Sequence, residues 1–234
     1  MQQMEMTFVM PRWEELPTFD LYMDQVLGLV SKYLGTFSEV SDEGGLITKT
    51  MINNYVKQKL VSSPENKKYT RPQLAFILVI SLLKRVLSIT EIAKIKVLVL
   101  DAMEMQPAYN LFCDELESAL QATFSGTVPD MPLVWKSQED TAKVLIRATA
   151  VALANKAYAQ AAIRTVEEDK ARKNQEAAAK AAAVEEAAKL AAAEAKRESE
   201  AARAAKEKES KGSKDAAKKA APAKESSKTA TAKE

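Results

Sequence analysis

Residues 74–83 form an almost unbroken apolar run, interrupted by Ser81 and closed by Lys84-Arg85. It is much shorter than the roughly 20 residues a membrane span needs. Ahead of it, Thr70 and Gln73 stand at capping-box spacing with Pro72 in the first turn. This predicts a helix to about Val86. A helix apolar nearly all round must be covered on every side, so it should be the central helix of a helical domain.

Composition removes several alternatives. The 234 residues include only 6 Gly and 8 Pro, which argues against a multi-turn β protein. There is no His, which excludes His-based triads, His general bases and His-ligated metals. With a single Cys no intrachain disulfide forms, and the chain reads as cytoplasmic. The first eleven residues carry Glu5 and no basic stretch, so no targeting segment is expected. No Gly-rich phosphate loop or nucleophile elbow is present, so neither an enzyme nor a cofactor is expected. Cys113 reads as a buried small hydrophobe. Its neighbours Asp114, Glu115 and Glu117 read as a solvated face, not a metal site.

Helical spacing dominates the first two thirds. A first helix is expected from Thr18 or Asp20 to Leu34, with Tyr22, Val26, Leu29, Val30 and Tyr33 on one face and Gly35 ending it. A second starts after Thr48 as N-cap and turns Met51, Ile52, Tyr55 and Val56 inward. Residues 60–69 form a loop, or a short hairpin in which Leu60-Val61 and Lys67-Lys68-Tyr69 flank a turn. Ser88 and Glu91 repeat the capping box and open a helix with Ile92, Ile95, Val99 and Met103 on one stripe. Pro107 restarts the chain into a helix carrying Tyr109, Phe112, Leu116 and Leu120, which ends near Gly126.

Charge is segregated. Residues 1–45 hold Arg12 and Lys32 against eight acidic residues. Residues 48–85 reverse this, with Lys49, Lys57, Lys59, Lys67, Lys68, Arg71, Lys84 and Arg85 against Glu65 alone. A basic block inside an acidic domain suits a polyanion, although a solvated surface would have the same composition. Within the block, the helix over 48–59 presents Lys49, Asn53, Asn54 and Lys57 on its outer face. Asn can bond bidentately to adenine, and Lys or a capped helix N-terminus suits phosphate. The residues alone equally fit a surface helix that is polar outside.

The order of the parts adds to this. The helix is followed by Lys67-Lys68-Tyr69-Thr70-Arg71, the capped 70–86 helix, and Ser88-Ile89-Thr90-Glu91-Ile92. Over 46–95 the chain resembles the winged-helix DNA-binding domain of MerR-type regulators. That family usually has Arg-Tyr-Tyr where Asn53-Asn54-Tyr55 stands here. Lys68-Tyr69 resembles the end of its wing, and Ile89-Thr90-Glu91-Ile92 the start of its next helix. The family also sets its first helix a short turn before the recognition helix, whereas here 35–47 intervenes with Gly44-Gly45. A second resemblance runs over about 13–120. Leu16-Pro17, Leu21-Tyr22-Met23-Asp24-Gln25-Val26, the 48–57 segment and Tyr69-Thr70-Arg71 look like a bacterial domain-of-unknown-function family, number eighteen thirty-six, which brings no activity with it.

From Ser137 one long helical pattern begins. To about Val166 it is rich in Val144, Leu145, Ile146, Val151 and similar residues. Beyond Glu167 it becomes Ala, Lys, Glu and Arg, with i,i+4 pairs Glu168–Arg172, Asp169–Lys173, Glu176–Lys180 and Glu185–Lys189. This stretch fits a solvated helix, an Ala-seamed coiled coil, or a nonspecific nucleic-acid tail. The near balance of Lys and Glu before Gly212 disfavours the last for most of its length. Gly212 and Pro222 should end the pattern.

The expected architecture is all-α with a small β-wing. A MerR-like winged helix-turn-helix over 13–105 precedes a helical dimerisation or effector region over 107–166. A solvated helical extension over 167–211 and a disordered tail over 212–234 complete the chain. The expected function is that of a cytoplasmic transcriptional regulator that forms a homodimer and does not enter membranes. Its partner would be double-stranded DNA, contacted by Thr48, Lys49, Asn53, Asn54, Lys57, Lys67, Lys68, Tyr69 and Arg71. The alternative is a non-catalytic scaffold that keeps the fold and binds a protein through its C-terminal helices.

Overall fold

A computed structural model describes residues 8–40, 47–128 and 136–219. Among them lie six α-helices: α1 (Met23–Val40), α2 (Lys49–Lys57), α3 (Arg71–Leu83), α4 (Ile89–Ala102), α5 (Met105–Phe124) and α6 (Gln138–Lys219). A 3-10 turn spans Trp13–Glu15, and β1 (Leu21–Tyr22) pairs antiparallel with β2 (Lys68–Tyr69) in the register Leu21 to Tyr69 and Tyr22 to Lys68. Residues 1–168 and 169–234 form two compact units.

The first unit is built round α3. Leu74, Ile77, Leu78, Ile80 and Leu82 are fully buried, and α1 and α5 pack against the helix. Each such side chain contributes about 1.5–3 kcal/mol when removed from water. Ser81, the polar interruption, donates its hydroxyl to the Ile77 carbonyl at 2.7 Å and so satisfies itself within the helix. The helix ends at Leu83, shortly before the expected Val86, and Arg85 turns its guanidinium over the Phe37 ring at 5.4 Å.

Local signals set most helix starts. Thr48 Oγ1 accepts from the Met51 amide at 3.2 Å. The Thr70 amide donates to Gln73 Oε1 at 2.7 Å, and the Ser88 amide to Glu91 Oε2 at 2.7 Å. Helix α5 begins two residues before Pro107, which its first turn tolerates because that turn's amides have no partner within the helix. Its end is fixed by Gly126 at φ +77°. Helix α2 closes in a Schellman motif. The Leu60 amide donates to Tyr55 O at 2.9 Å and the Lys59 amide to Val56 O at 3.0 Å, while Leu60 and Tyr55 are both buried. The left-handed position there, φ +57°, is held by Lys59, not by a glycine.

Three expectations are corrected. Gly35 does not end α1. The helix continues through it and carries Phe37 into the core, against Phe8 at 5.1 Å, which offsets the roughly 1 kcal/mol cost of an interior glycine. Tyr22 lies on β1 ahead of the helix and faces outward. Leu60 and Val61 do not form a strand with 67–69. Both are buried, and β2 takes Leu21-Tyr22 as its partner instead. What remains of the hairpin is a tight turn closed by the Glu65–Lys68 bridge, with Asn66 at φ +47° and Lys67 at φ +64°. Positive φ at both central residues marks a type I′ turn.

The segment before α1 is strapped to α5. Arg12 bonds both carboxylate oxygens of Glu117 at 2.7 and 2.8 Å, and the Met10 amide adds a third bond to Glu117 at 2.8 Å. Buried Tyr109 donates to Pro11 O at 2.9 Å. Cys113 lies in the same core, where burial pushes its thiol up to about 12; it behaves as a small hydrophobe.

Helix α6 begins in the first unit, where Ala142, Ile146, Ala150, Leu153 and Ala157 join the core. Arg147 pairs with Glu115 at 2.5 Å, and Lys156 donates to Arg85 O at 2.6 Å. In the second unit no described side chain is buried. There Glu185–Lys189 pairs as expected at 2.6 Å, whereas Arg172 takes Asp169 at i,i+3 in place of Glu168. The helix passes through Gly212, expected to break it, and runs to Lys219. Pro222 and residues 220–234, like Gly44, Gly45 and Leu46, lie outside the described residues.

Candidate nucleic-acid interface

Helix α2 turns Ile52 and Tyr55 inward and exposes Thr48, Lys49, Asn53, Asn54 and Lys57. Lys49, Asn53 and Lys57 recur every four residues, so they form one stripe along the helix. The wing, the turn-and-strand segment over 60–69, stands beside it. Its type I′ turn exposes Lys67, and Lys68 lies half-buried with its ammonium 5.2 Å from the centre of the Tyr22 ring.

Stripe and wing meet in a cleft of about 320 Å³. Lys49 and Asn53 line it from α2, Pro64 and Lys67 from the wing, and Tyr22, Met23 and Asp24 from β1 and the first turn of α1. Residues separated by more than forty positions in sequence are thus gathered by the β1–β2 pairing. Nothing local in the sequence singles out Asp24, because its place depends on a non-local strand pair of two residues.

Two side chains fasten the wing. Gln73, buried at the start of α3, donates Nε2 to Ser62 O at 2.9 Å while its Oε1 caps the helix. Lys96 of α4 donates to Leu60 O at 2.9 Å and lies 4.8 Å from the centre of the Phe76 ring. Burial lowers the Lys96 pKa, yet three ammonium protons still serve one carbonyl and one ring face. Sequence reading did not single out Lys96. Its position on the flank of α4 resembles any solvated lysine.

The remaining candidates are less exposed. Tyr69 is buried, pairs with Leu21 and forms part of the cleft wall beside Lys67. Arg71 donates Nε to Pro17 O at 3.3 Å and lies 5.8 Å from the centre of the Trp13 ring. The basic block therefore divides. Arg71 and Arg85 hold the domain together, while Lys49, Lys57, Lys59 and Lys67 stay exposed on α2 and the wing. Among the described residues no group of His, Cys, Asp and Glu could hold a metal, and no helix is long and apolar enough to cross a membrane.

The cleft and its fastenings fall in one segment. Residues 11–114 match the family model described as Domain of unknown function (DUF1836). The matched segment runs from the strap through α4 and into α5, and it agrees with the resemblance read over about 13–120. No curated protein and no solved structure matches the chain.

Proposed function

We propose that the first unit is a DNA-binding module of the MerR-like winged-helix type in a cytoplasmic transcriptional regulator. The observation that carries this reading is the convergence of Lys49 and Asn53 on α2 with Lys67 on the wing turn in one cleft. Helix α2 enters the major groove with Asn53 and Asn54 toward base edges. Lys49, Lys57, Lys67 and Lys68 hold phosphates on either side. Asp24 suits the amino group of a cytosine, not a phosphate. Tyr69 forms part of the cleft wall, while Arg71, held by Pro17 and Trp13, acts as a support and leaves the contacting set.

Mobility shift of duplex DNA over a salt series tests the proposal. Affinity should fall steeply as salt rises. Asn53→Ala should cost about 1–3 kcal/mol on the specific site and spare nonspecific binding. Lys67→Ala should weaken all sequences alike and flatten the salt slope by about one unit. A wild-type protein without salt-dependent affinity refutes the reading and leaves the scaffold alternative.

A further inference from the structure

Helix α4 buries Ile92 and Val99 on one side, while Val97 is 58% exposed and Leu98 50%. With Leu100 they place three large exposed apolar residues within four positions, the densest such cluster among the described residues. In a monomer this surface stays in contact with water, which the hydrophobic effect opposes.

The charges on the exposed face itself restrict what can cover it; Lys59 and Lys96 line the groove on the flank beside Val97, Leu100 and Asp101, and Glu91 lies near Lys94. Lys94 and Asp101 lie seven residues apart, two turns of helix, on the same outward face and equidistant from the midpoint of Val97 and Leu98. If a second α4 packs antiparallel about that midpoint, Lys94 of each copy meets Asp101 of the other. A parallel pair would instead set like charges together.

We infer that α4 pairs antiparallel with the α4 of a second copy of this chain through Val97 and Leu98, with two reciprocal Lys94–Asp101 contacts. A two-fold axis perpendicular to the helices makes such an interface self-complementary: each copy supplies both the cation and the carboxylate. The apolar centre provides the attraction, and the flanking charges fix direction and register. None of the four residues lines the α2–wing cleft, so the pairing stands independently of the DNA reading.

Sedimentation equilibrium of the full-length chain tests it. Wild type should show a concentration-dependent dimer. Lys94→Glu and Asp101→Lys should each raise the dimer dissociation constant by about tenfold or more, because each sets two like-charge contacts in the interface. The double swap Lys94→Glu/Asp101→Lys restores both contacts with reversed sign, and should return the constant to within about threefold of wild type. All four residues are exposed, so circular dichroism and melting should stay unchanged and separate loss of pairing from loss of fold. A monomer at every concentration overturns the inference. So does a dimer indifferent to the single swaps, or a double swap no better than the singles.

Discussion

Lys59 and Lys67 both hold left-handed backbone, at φ +57° and +64°, where glycine is the cheap residue. An L-residue there costs about 1–2 kcal/mol, and glycine returns part of that as extra freedom in the unfolded chain. Lys59→Gly should therefore stabilise the first unit by about 0.5–1 kcal/mol, read as a higher urea midpoint at unchanged slope. A midpoint that falls would mean the Lys59 side chain contributes more than its backbone costs. Neither conformation was legible in the sequence, because a lysine gives no sign of positive φ. Of the two glycines read as helix ends, Gly126 does end α5, whereas Gly35 lies within a helix that continues to bury Phe37. Asn53 and Lys49 were legible as outward residues because a capped helix with a strong apolar face leaves them no other direction.

Among the elements, the strap from Met10 to Glu15 on α5 shows where sequence reading stops. The capping boxes of α3 and α4 and the Thr48 cap were readable because donor and acceptor lie three residues apart. The Arg12–Glu117 contact spans more than a hundred residues, and the β1–β2 pair nearly fifty. Only packing brings these together. Burial opposes ionisation of Glu117, but the bonds from Arg12 and the Met10 amide outweigh it, and its carboxyl titrates below the usual range. A depressed folded pKa gives stability that is complete above the unfolded value of about 4.3 and is lost as pH falls through the folded value. Glu117→Gln should cost about 1–3 kcal/mol at neutral pH. Asp114, 2.9 Å from Arg12, should hold the loss toward the lower figure. Denaturation curves of both proteins should converge as pH drops below about 4. A gap that persists there would mean the charge on Glu117 is not what matters.

For the whole molecule, the two units differ in kind. The first has an apolar core, and the second is a helix of strong helix formers with no buried side chain among its described residues. Truncation after Glu168 should leave the melting midpoint of the first unit within a few degrees, as calorimetry would show; a larger fall would assign the tail a share of the core's stability. Inside the first unit, the dual role of Gln73 has a kinetic consequence. One amide group ends the frayed part of α3 with its oxygen and fastens Ser62 with its nitrogen. When the first turn of α3 unwinds, the wing loses the Gln73 bond in the same event, so that bond and the helix start share one opening free energy. Lys96 and the β1–β2 pair still hold the wing, so unwinding that turn loosens the wing at Ser62 without releasing it.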